Sequence, residues 1–277
     1  EITVRDWSSD VCSSDLVNCM NFDATLAAVA ATPRLLVVSD YDGTLAEFNT
    51  DAYAVSTNPT AERALKELAA LPDTEVAILS GRHTEGLKQV TGFDETDFIL
   101  AGSHGAESNI GKIRSLTDEQ QAVLNQITTV FEELAAQVAG AFVEYKPYHR
   151  VLHLIRATDE SKAAEIYERA SHADIPGAHL KPGKWIVEGA AIDMTKGTWI
   201  TIAREQLGAT AVIFVGDDRT DEDGFAVLGP GDLSVKVGSG DTKAQYRVPD
   251  VSGAGEFFAQ LVTARRANGG AGVEGNV

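Results

Sequence analysis

Residues 34–45 read RLLVVSDYDGTL, and the rest of the chain is interpreted outward from them. The first six residues form a short apolar run that is typical of a buried strand. Asp40 and Asp42 follow it directly, and two carboxylates two residues apart point the same way if the strand geometry continues. Gly43 then allows a sharp turn that brings the backbone close to a ligand. This stretch predicts a strand that ends in a polar site.

Strand and helix patterns alternate on both sides of this stretch. Further buried strands are predicted from apolar runs at residues 76–79, 98–101, 211–215 and 233–237. Helices are predicted from their spacing at residues 61–71, 84–90, 196–207 and 253–266. This alternation predicts an α/β fold with a parallel, doubly wound, Rossmann-type sheet that has helices on both faces. Ligands of such sheets bind at the carboxyl ends of the strands.

Between these two halves the pattern changes. The middle of the chain predicts a long amphipathic helix, two paired strands, a second helix and a hairpin, which together suggest an inserted α+β cap domain. The predicted division is a leader at residues 1–19, a first core part at 20–109, the cap at 110–190, a second core part at 191–267 and a tail at 268–277.

The two ends are set apart from the fold by their composition. Residues 6–16, DWSSDVCSSDL, read like a translated sequencing adapter, and the alternative is a disordered polar leader. The Gly-rich tail is predicted to be disordered.

Composition narrows the function. The chain has 277 residues, with 41 acidic against 23 basic ones and a formal net charge of −18. Such a surface repels nucleic acid and anionic membranes, so neither is expected as a partner. The two cysteines, Cys12 and Cys19, do not suggest a disulfide scaffold, and we expect a cytoplasmic monomer. An anionic substrate would need a metal ion and a few lysines to reverse the local field.

A second acidic cluster follows the predicted strand at residues 211–215. Residues 216–223 read GDDRTDED, which places five carboxylates in eight residues. One alternative is that Asp221 only stabilises the N-terminus of the next helix through the helix dipole. Asp217 and Asp218, however, repel one another at a strand end unless a cation lies between them. Oxygen ligands without a nearby histidine favour magnesium over zinc.

Two smaller features complete a candidate site. Ser80, Gly81 and Arg82 end the second predicted strand and offer a hydroxyl and backbone N–H groups to a phosphate oxygen. Lys196 begins a helix, where a cation is unfavourable for the helix dipole. Binding a phosphate and neutralising an acidic nucleophile would explain its position.

These four motifs, in this order, resemble the haloacid dehalogenase superfamily of phosphatases. The long acidic motif is most similar to one branch, the trehalose-6-phosphate phosphatases, and the resemblance runs from about residue 35 to residue 261, including the cap. It implies a Mg²⁺-dependent phosphatase that hydrolyses a small sugar phosphate, trehalose 6-phosphate, in the last step of trehalose biosynthesis.

The resemblance implies a role for each acidic residue. Asp40 would attack phosphorus and become an acyl phosphate, and Asp42 would protonate the leaving sugar oxygen and then deprotonate the hydrolytic water. The metal would be held by Asp40, Asp217 and the Asp42 backbone carbonyl, with Asp218 and Asp221 supporting these ligands.

It also implies the groups that bind the substrate. Phosphoryl oxygens would be held by Thr44, Ser80, Gly81 and Lys196. Arg82 and His104, the latter in the segment at residues 102–107, GSHGAE, would contact the substrate, and the sugar would be bound by three residues of the cap: Glu144, Lys146 and Glu188. For His104 a purely structural role at the entrance to the cap is the alternative.

One departure and three alternatives stay open. After Glu188 the family usually continues with a basic residue and proline, whereas this chain has Gly189, Ala190 and Ala191, which leaves room for another sugar preference. The alternatives are a phosphatase of the same superfamily for sucrose phosphate or a hexose phosphate, a non-catalytic phosphate-binding regulatory module, and a degenerate phosphatase that acts only as a partner protein.

Overall fold

A computed structural model of the chain describes residues 13–49, 51, 53–108, 110, 116–146 and 148–269. The predicted leader falls partly outside this set, since residues 1–12 are not included, and residues 13–19 belong to the first helix. Of the predicted tail, residues 270–277 lie outside the described residues. In the part of the chain that is described, no helix combines the length and the apolar character needed to cross a bilayer.

The larger of two sheets has the strand order β11-β10-β9-β1-β2-β3-β4 in the described part of the chain. Its strands are β1 (Leu35–Ser39), β2 (Thr74–Leu79), β3 (Ile99–Gly102), β4 (Glu107–Ser108), β9 (Ala211–Gly216), β10 (Leu233–Val237) and β11 (Tyr246–Val248). All neighbouring strands are parallel except the antiparallel pair β3–β4. Strand β1 lies between β2 and β9, so the order of the strands reverses at β1, which is where ligands bind in such sheets.

Helices cover both faces of this sheet. The described helices are α1 (Ser13–Ala30), α2 (Pro59–Ala69), α3 (Thr84–Thr91), α4 (Asp118–Ala135), α5 (Glu160–Ser171), α6 (Lys196–Leu207), α7 (Asp221–Ala226) and α8 (Val251–Gly269). Strand β1 shows why two layers are needed, because all five of its residues are buried. Leu35 and Val37 belong to one apolar core and Leu36 and Val38 to another, as the alternation of side chains along a strand requires.

The second sheet lies in the predicted cap region and is antiparallel, with the order β5-β6-β8-β7. Its strands are β5 (Phe142–Tyr145), β6 (His149–His153), β7 (His179–Gly183) and β8 (Ile186–Ala190). Leu152 and Val187 on one face form a third apolar core with Phe131 of α4 and Ile166 of α5. The other face carries polar side chains, among them Glu188.

Candidate active site

The centre of the candidate site is an ion pair between two elements of the central sheet region. Asp40 follows β1 directly, and Lys196 is the first residue of α6. The ammonium Nζ of Lys196 donates to Asp40 Oδ1 at 2.7 Å and to Asp221 Oδ1 at 2.6 Å. The Lys196 side chain is only 2% exposed. The predicted nucleophile and the predicted phosphate-binding lysine are therefore in direct contact.

Burial shifts the pKa values of these two groups in opposite directions. It raises the pKa of the Asp40 carboxyl well above its ordinary value, and the adjacent Lys196 opposes that rise. Burial lowers the pKa of the Lys196 ammonium, but the carboxylates of Asp40 and Asp221 outweigh it, so that the pKa of Lys196 lies above its ordinary value. Lys196 is therefore held as a cation, and it favours the ionised form of the carboxylate that would attack phosphorus.

Asp221 organises the acidic loop that follows β9. It is fully buried, and its second oxygen, Oδ2, accepts hydrogen bonds from the backbone N–H groups of Asp217 at 3.0 Å and Asp218 at 2.9 Å. Gly216 allows this approach, since a Cβ there would lie 2.4 Å from Asp221 Cγ. Asp221 thus fixes both Lys196 and the turn that positions Asp217.

The residues around Asp40 have the composition that a divalent cation requires. Carboxylate oxygens of Asp40, Asp217 and Asp221 lie within 4.8 Å of one another. Desolvation raises the pKa of Asp217 to about 6, and the nearby Asp221 and Asp218 carboxylates contribute to the rise. Oxygen donors at this density repel one another unless a cation lies between them, and hard oxygen ligands suit Mg²⁺. The donor set therefore fits the predicted metal.

The charges of the wider site support the same fit. Three cations, Lys196, Arg82 and Lys236, contact the loops that carry the acidic residues. Lys196 faces Asp40 and Asp221, Arg82 faces Asp42, and Lys236 lies near Asp217. The carboxylates outnumber these cations, and a bound cation would reduce the excess of negative charge.

Gly43 permits the close approach of the two acidic loops. Its φ is +80°, and a Cβ at this position would lie 2.1 Å from Asp217 Oδ2. Thr44 is fully buried, and its hydroxyl donates to Asp217 Oδ1 at 3.4 Å. The structure thus places Thr44 on Asp217, behind the residues that line the cavity. Its predicted contact with a phosphoryl oxygen stays a prediction.

Asp42 is paired with Arg82. The guanidinium Nε donates to Asp42 Oδ2 and Nη2 donates to Asp42 Oδ1, both at 2.6 Å. Both side chains are partly exposed, at 26% for Asp42 and 15% for Arg82. The predicted acid and one predicted substrate contact therefore bind each other across the mouth of the site.

Ser80 and Gly81 lie at the end of β2, and their predicted contact with a phosphoryl oxygen stays a prediction. Ser80 is 1% exposed and accepts the backbone N–H of Arg82 on Oγ at 3.1 Å. Both residues line the same cavity as Asp40 and Lys196. Gly81 packs closely against His104, as a Cβ added to Gly81 would lie only 2.9 Å from His104 Cε1.

His104 is held in a strained backbone conformation. Its φ is +56° and that of Ser103 is +51°, a region that side chains other than glycine rarely adopt. Burial lowers the pKa of the imidazole, and Lys196 lowers it further. Its buried Nδ1 has no hydrogen-bond partner among the described residues. His104 thus lines the cavity with an unpartnered polar atom, and its predicted contact with the substrate stays a prediction.

Two cavities meet at this centre. The first, of about 470 Å³, contains Asp40 and Asp42 in its lining, and the second, of about 350 Å³, contains Glu188. They have four lining residues in common, which are Gly81, His104, Lys196 and Thr220. The two cavities therefore form one cleft that runs from the central sheet to the polar face of the second sheet.

The three predicted sugar-binding residues are placed differently. Glu144 and Glu188 both pair with Val151 in register, so they lie in one row on the polar face of the second sheet. Glu144 Oε2 lies 2.9 Å from His153 Nε2, while Lys146 Nζ donates to Glu107 Oε1 at 3.1 Å. Of the three, Glu188 alone is among the described residues that line the cleft.

Sequence reasoning missed several residues at the site. Lys236 is 5% exposed in β10, and its ammonium donates to the backbone carbonyl of Asp217. The sequence feature that could have identified Lys236 is the presence of a lysine within the apolar run LSVKV. Glu107, whose pKa is about 2, accepts hydrogen bonds from Thr84 and Ser103 as well as Lys146, although desolvation by burial opposes this lowering of its pKa.

Two residues on the polar face of the second sheet were also missed. Lys181 and His149 both line the second cavity. The sequence pattern did not show which face of these strands lines the cavity. His149 also has no neighbouring ligand-type residues at a regular spacing, so nothing identified it as a site residue.

This fold and site define the class of the protein. A doubly wound sheet with DxD at the end of β1, Ser80 after β2, a helix-initial lysine and an acidic loop after β9 is the arrangement of a haloacid dehalogenase-like phosphatase. The structure is similar in fold to a haloacid dehalogenase-like hydrolase from Bacteroides thetaiotaomicron, with a TM-score of 0.55 at 15% identity over 82% of this chain and 99% of that chain.

Within this class the family is established. The sequence model of the trehalose-phosphatase family matches residues 38–252. The chain therefore belongs to the trehalose-phosphatase family, and it is a phosphatase.

Named relatives agree with this assignment. The trehalose-6-phosphate phosphatase of Escherichia coli is 32% identical over 83% of this chain and 88% of the relative. A bifunctional trehalose-6-phosphate synthase/phosphatase of Thermoproteus tenax is 30% identical over 87% of this chain, but the chain spans only 34% of that protein. A trehalose-6-phosphate phosphatase structure from Aspergillus fumigatus has a TM-score of 0.59 at 23% identity, covering 87% of this chain and 97% of that one.

Proposed function

We propose that this chain hydrolyses trehalose 6-phosphate to trehalose and phosphate, with Mg²⁺ as cofactor and Asp40 as nucleophile. The observation that carries the proposal is the contact of Asp40 with Lys196 at the end of β1, beside an acidic cluster that suits a divalent cation. Membership of the trehalose-phosphatase family supports the substrate, and the E. coli and T. tenax relatives carry that substrate in their names.

The first half of the reaction begins at Asp40. Its carboxylate oxygen attacks phosphorus while Lys196, held by Asp221, offsets the negative charge that gathers on the phosphoryl oxygens. Ser80 and Gly81, which line the cavity next to Asp40, contribute a hydroxyl and a backbone N–H to these oxygens. Thr44 would add its hydroxyl once it releases Asp217. Bound Mg²⁺ would be held by Asp40, Asp217 and the Asp42 carbonyl, and it supplies further neutralisation of the phosphoryl group.

Asp42 transfers a proton in both halves of the reaction. As the bond to phosphorus breaks, Asp42 gives its proton to the departing sugar oxygen, and it then takes a proton from the water that hydrolyses the acyl phosphate on Asp40. A protonated Asp42 cannot keep its bidentate pair with Arg82. Arg82 would then pair with the phosphate, so that protonation of Asp42 exchanges one partner of Arg82 between the resting site and the substrate-loaded site.

The remaining assignments belong to the same proposal. Asp218 and Asp221 support the metal ligands, His104 contacts the substrate from between the two cavities, and Glu188 binds a sugar hydroxyl in the second cavity. Glu144 and Lys146 join the sugar once Lys146 releases Glu107. A monomer in the cytoplasm, with residues 110–190 as the cap, completes the proposal.

The test is phosphate release from trehalose 6-phosphate, measured beside sucrose 6-phosphate and glucose 6-phosphate, with Mg²⁺ and with a chelator. We expect Mg²⁺-dependent release from the trehalose compound alone. Asp40→Asn should abolish it, and Asp241→Asn, which alters an exposed carboxylate outside the described lining of both cavities, serves as the matched control. Release from another sugar phosphate instead would keep the chemistry and overturn the substrate. Absence of release from all three would point to a non-catalytic module.

A further inference from the structure

Two aromatic side chains are exposed at the mouth of the first cavity. Phe48 is 71% exposed and Tyr53 is 51% exposed, although most large apolar side chains of the fold are buried. Both line the cavity that contains Asp40 and Asp42. Phe48 lies over Gly43, since a Cβ there would be 2.7 Å from the Phe48 ring. Exposed aromatic surface in a concave site is typical of ligand binding.

Side-chain-to-backbone hydrogen bonds tie together the described residues of the loop around Tyr53. Asn49 Nδ2 donates to the Ala54 carbonyl at 2.8 Å, and the Asp51 N–H donates to Asn49 Oδ1 at 3.0 Å. The Tyr53 N–H donates in turn to Asp51 Oδ1 at 3.0 Å. Such side-chain-to-backbone bonds fix turns. The exposed Tyr53 is therefore tied to its neighbours by these hydrogen bonds, and Phe48 is placed by its close approach to Gly43.

The Tyr53 hydroxyl retains a donor for a ligand. His83 accepts the Gly86 N–H on Nδ1 at 3.0 Å, so the hydrogen-bond network assigns the proton of the neutral imidazole to Nε2. That Nε2 lies 3.5 Å from the Tyr53 hydroxyl oxygen and donates toward it. The hydroxyl then accepts from His83, and its own hydrogen is available on the cavity side.

We propose that Phe48 and Tyr53, which we name the aromatic platform, bind the sugar ring that carries the phosphate. This inference rests on the proposed function. The oxygen that Asp42 protonates belongs to the sugar, so that ring lies beside Asp42 and within the cavity that the platform lines. The apolar face of a pyranose stacks on the rings, and Tyr53 donates to one of its hydroxyls.

The position of the platform also divides the substrate between two cavities. The first cavity takes the phosphorylated ring, and the second, which contains Glu188, takes the other ring of a disaccharide. Because the cavities meet at His104 and Lys196, one two-ring ligand can span both, with its phosphate beside Asp40 in the first cavity. A monosaccharide phosphate would use the platform alone.

The test compares Phe48→Ala and Tyr53→Phe with Phe142→Ala, a matched control whose ring is also exposed but lies outside the described lining of both cavities. We measure KM and kcat for trehalose 6-phosphate and the inhibition constants of trehalose and inorganic phosphate. Phe48→Ala and Tyr53→Phe should each raise the KM and the trehalose constant roughly two- to tenfold. They should leave kcat and the phosphate constant near wild type, and the control substitution should change none of the four.

Other outcomes overturn the platform. Unchanged constants in both variants would show that the rings do not touch the sugar. An equal rise in the inorganic phosphate constant would show that the loop only shapes the phosphoryl site. The wild-type protein is assayed in the same series. If it is inactive on trehalose 6-phosphate, the proposed function is wrong; if it is active and the variants match it, only the aromatic platform is wrong.

Discussion

The most demanding prediction concerns Asp221→Asn, because the Asp221 side chain accepts hydrogen bonds on both oxygens. One oxygen accepts from the Lys196 ammonium, and the other accepts from the backbone N–H groups of Asp217 and Asp218. An asparagine has only one acceptor oxygen, and its NH₂ group must face donors in either orientation. The substitution also removes a negative charge from a site where Lys196 is almost fully buried.

The magnitude follows from these contacts. Breaking a buried ion pair by removing one partner costs about 3–5 kcal/mol. Asp40 still pairs with Lys196, which favours the lower part of that range. Since domains unfold with a free energy of about 5–15 kcal/mol, Asp221→Asn should remain folded but be clearly less stable. Its kcat should fall as well, because Lys196 and Asp217 lose their common anchor.

Equilibrium unfolding in urea measures the effect. The matched control is Asp241→Asn, which alters an exposed carboxylate outside the helices and both cavities and should change the unfolding free energy by less than about 0.5 kcal/mol. A loss below about 1 kcal/mol for Asp221→Asn, with an unchanged m-value, would refute the argument that this carboxylate anchors the site.

Two further predictions concern Gly43 and His149. Gly43→Ala should remove most activity, because the new Cβ would overlap the Asp217 carboxylate. The control is Gly238→Ala, at a similar φ of +77° but with open space around it, which should cost only about 1 kcal/mol of stability. Equal activities of the two variants would contradict this prediction. Burial lowers the pKa of His149 to about 4 from 6.5, so the unfolded chain binds the proton first as pH falls. The raised pKa values of Asp40 and Asp217 act in the opposite direction over the same range, so the effect is measured as a difference: between about pH 7.5 and about pH 5 the wild type should lose about 2 kcal/mol more in urea unfolding than His149→Gln, whereas His172→Gln should follow the wild type.

Much of the central sheet was predictable because buried parallel strands are continuous apolar runs. The strands around residues 35–39 and 211–216 appear where the sequence placed them, each with its acidic cluster at the carboxyl end. Strand β11 was missed, since its three residues are too few for a periodic pattern and it pairs only at the sheet edge. Short edge strands form because of their neighbours, and a sequence pattern carries little of that information.

The site was predictable in its residue types but less so in its contacts. The motif order placed Asp40 and Lys196 together, and the structure brings them to 2.7 Å. The pairing of Asp42 with Arg82 was not foreseen, because it joins residues 40 positions apart through side-chain directions that a sequence does not fix. The same holds for Lys146, whose partner in the structure is Glu107.

The central claim is tested most directly by trapping phosphate on Asp40. The chain is mixed with trehalose 6-phosphate and Mg²⁺, quenched in acid, digested and examined by mass spectrometry. We expect a phosphoryl group on the peptide that contains Asp40, and more of it in Asp42→Asn, because hydrolysis of the acyl phosphate needs Asp42 as base. A phosphoryl group on another residue, or rapid release of phosphate with no labelled peptide in either protein, would contradict a mechanism that passes through Asp40.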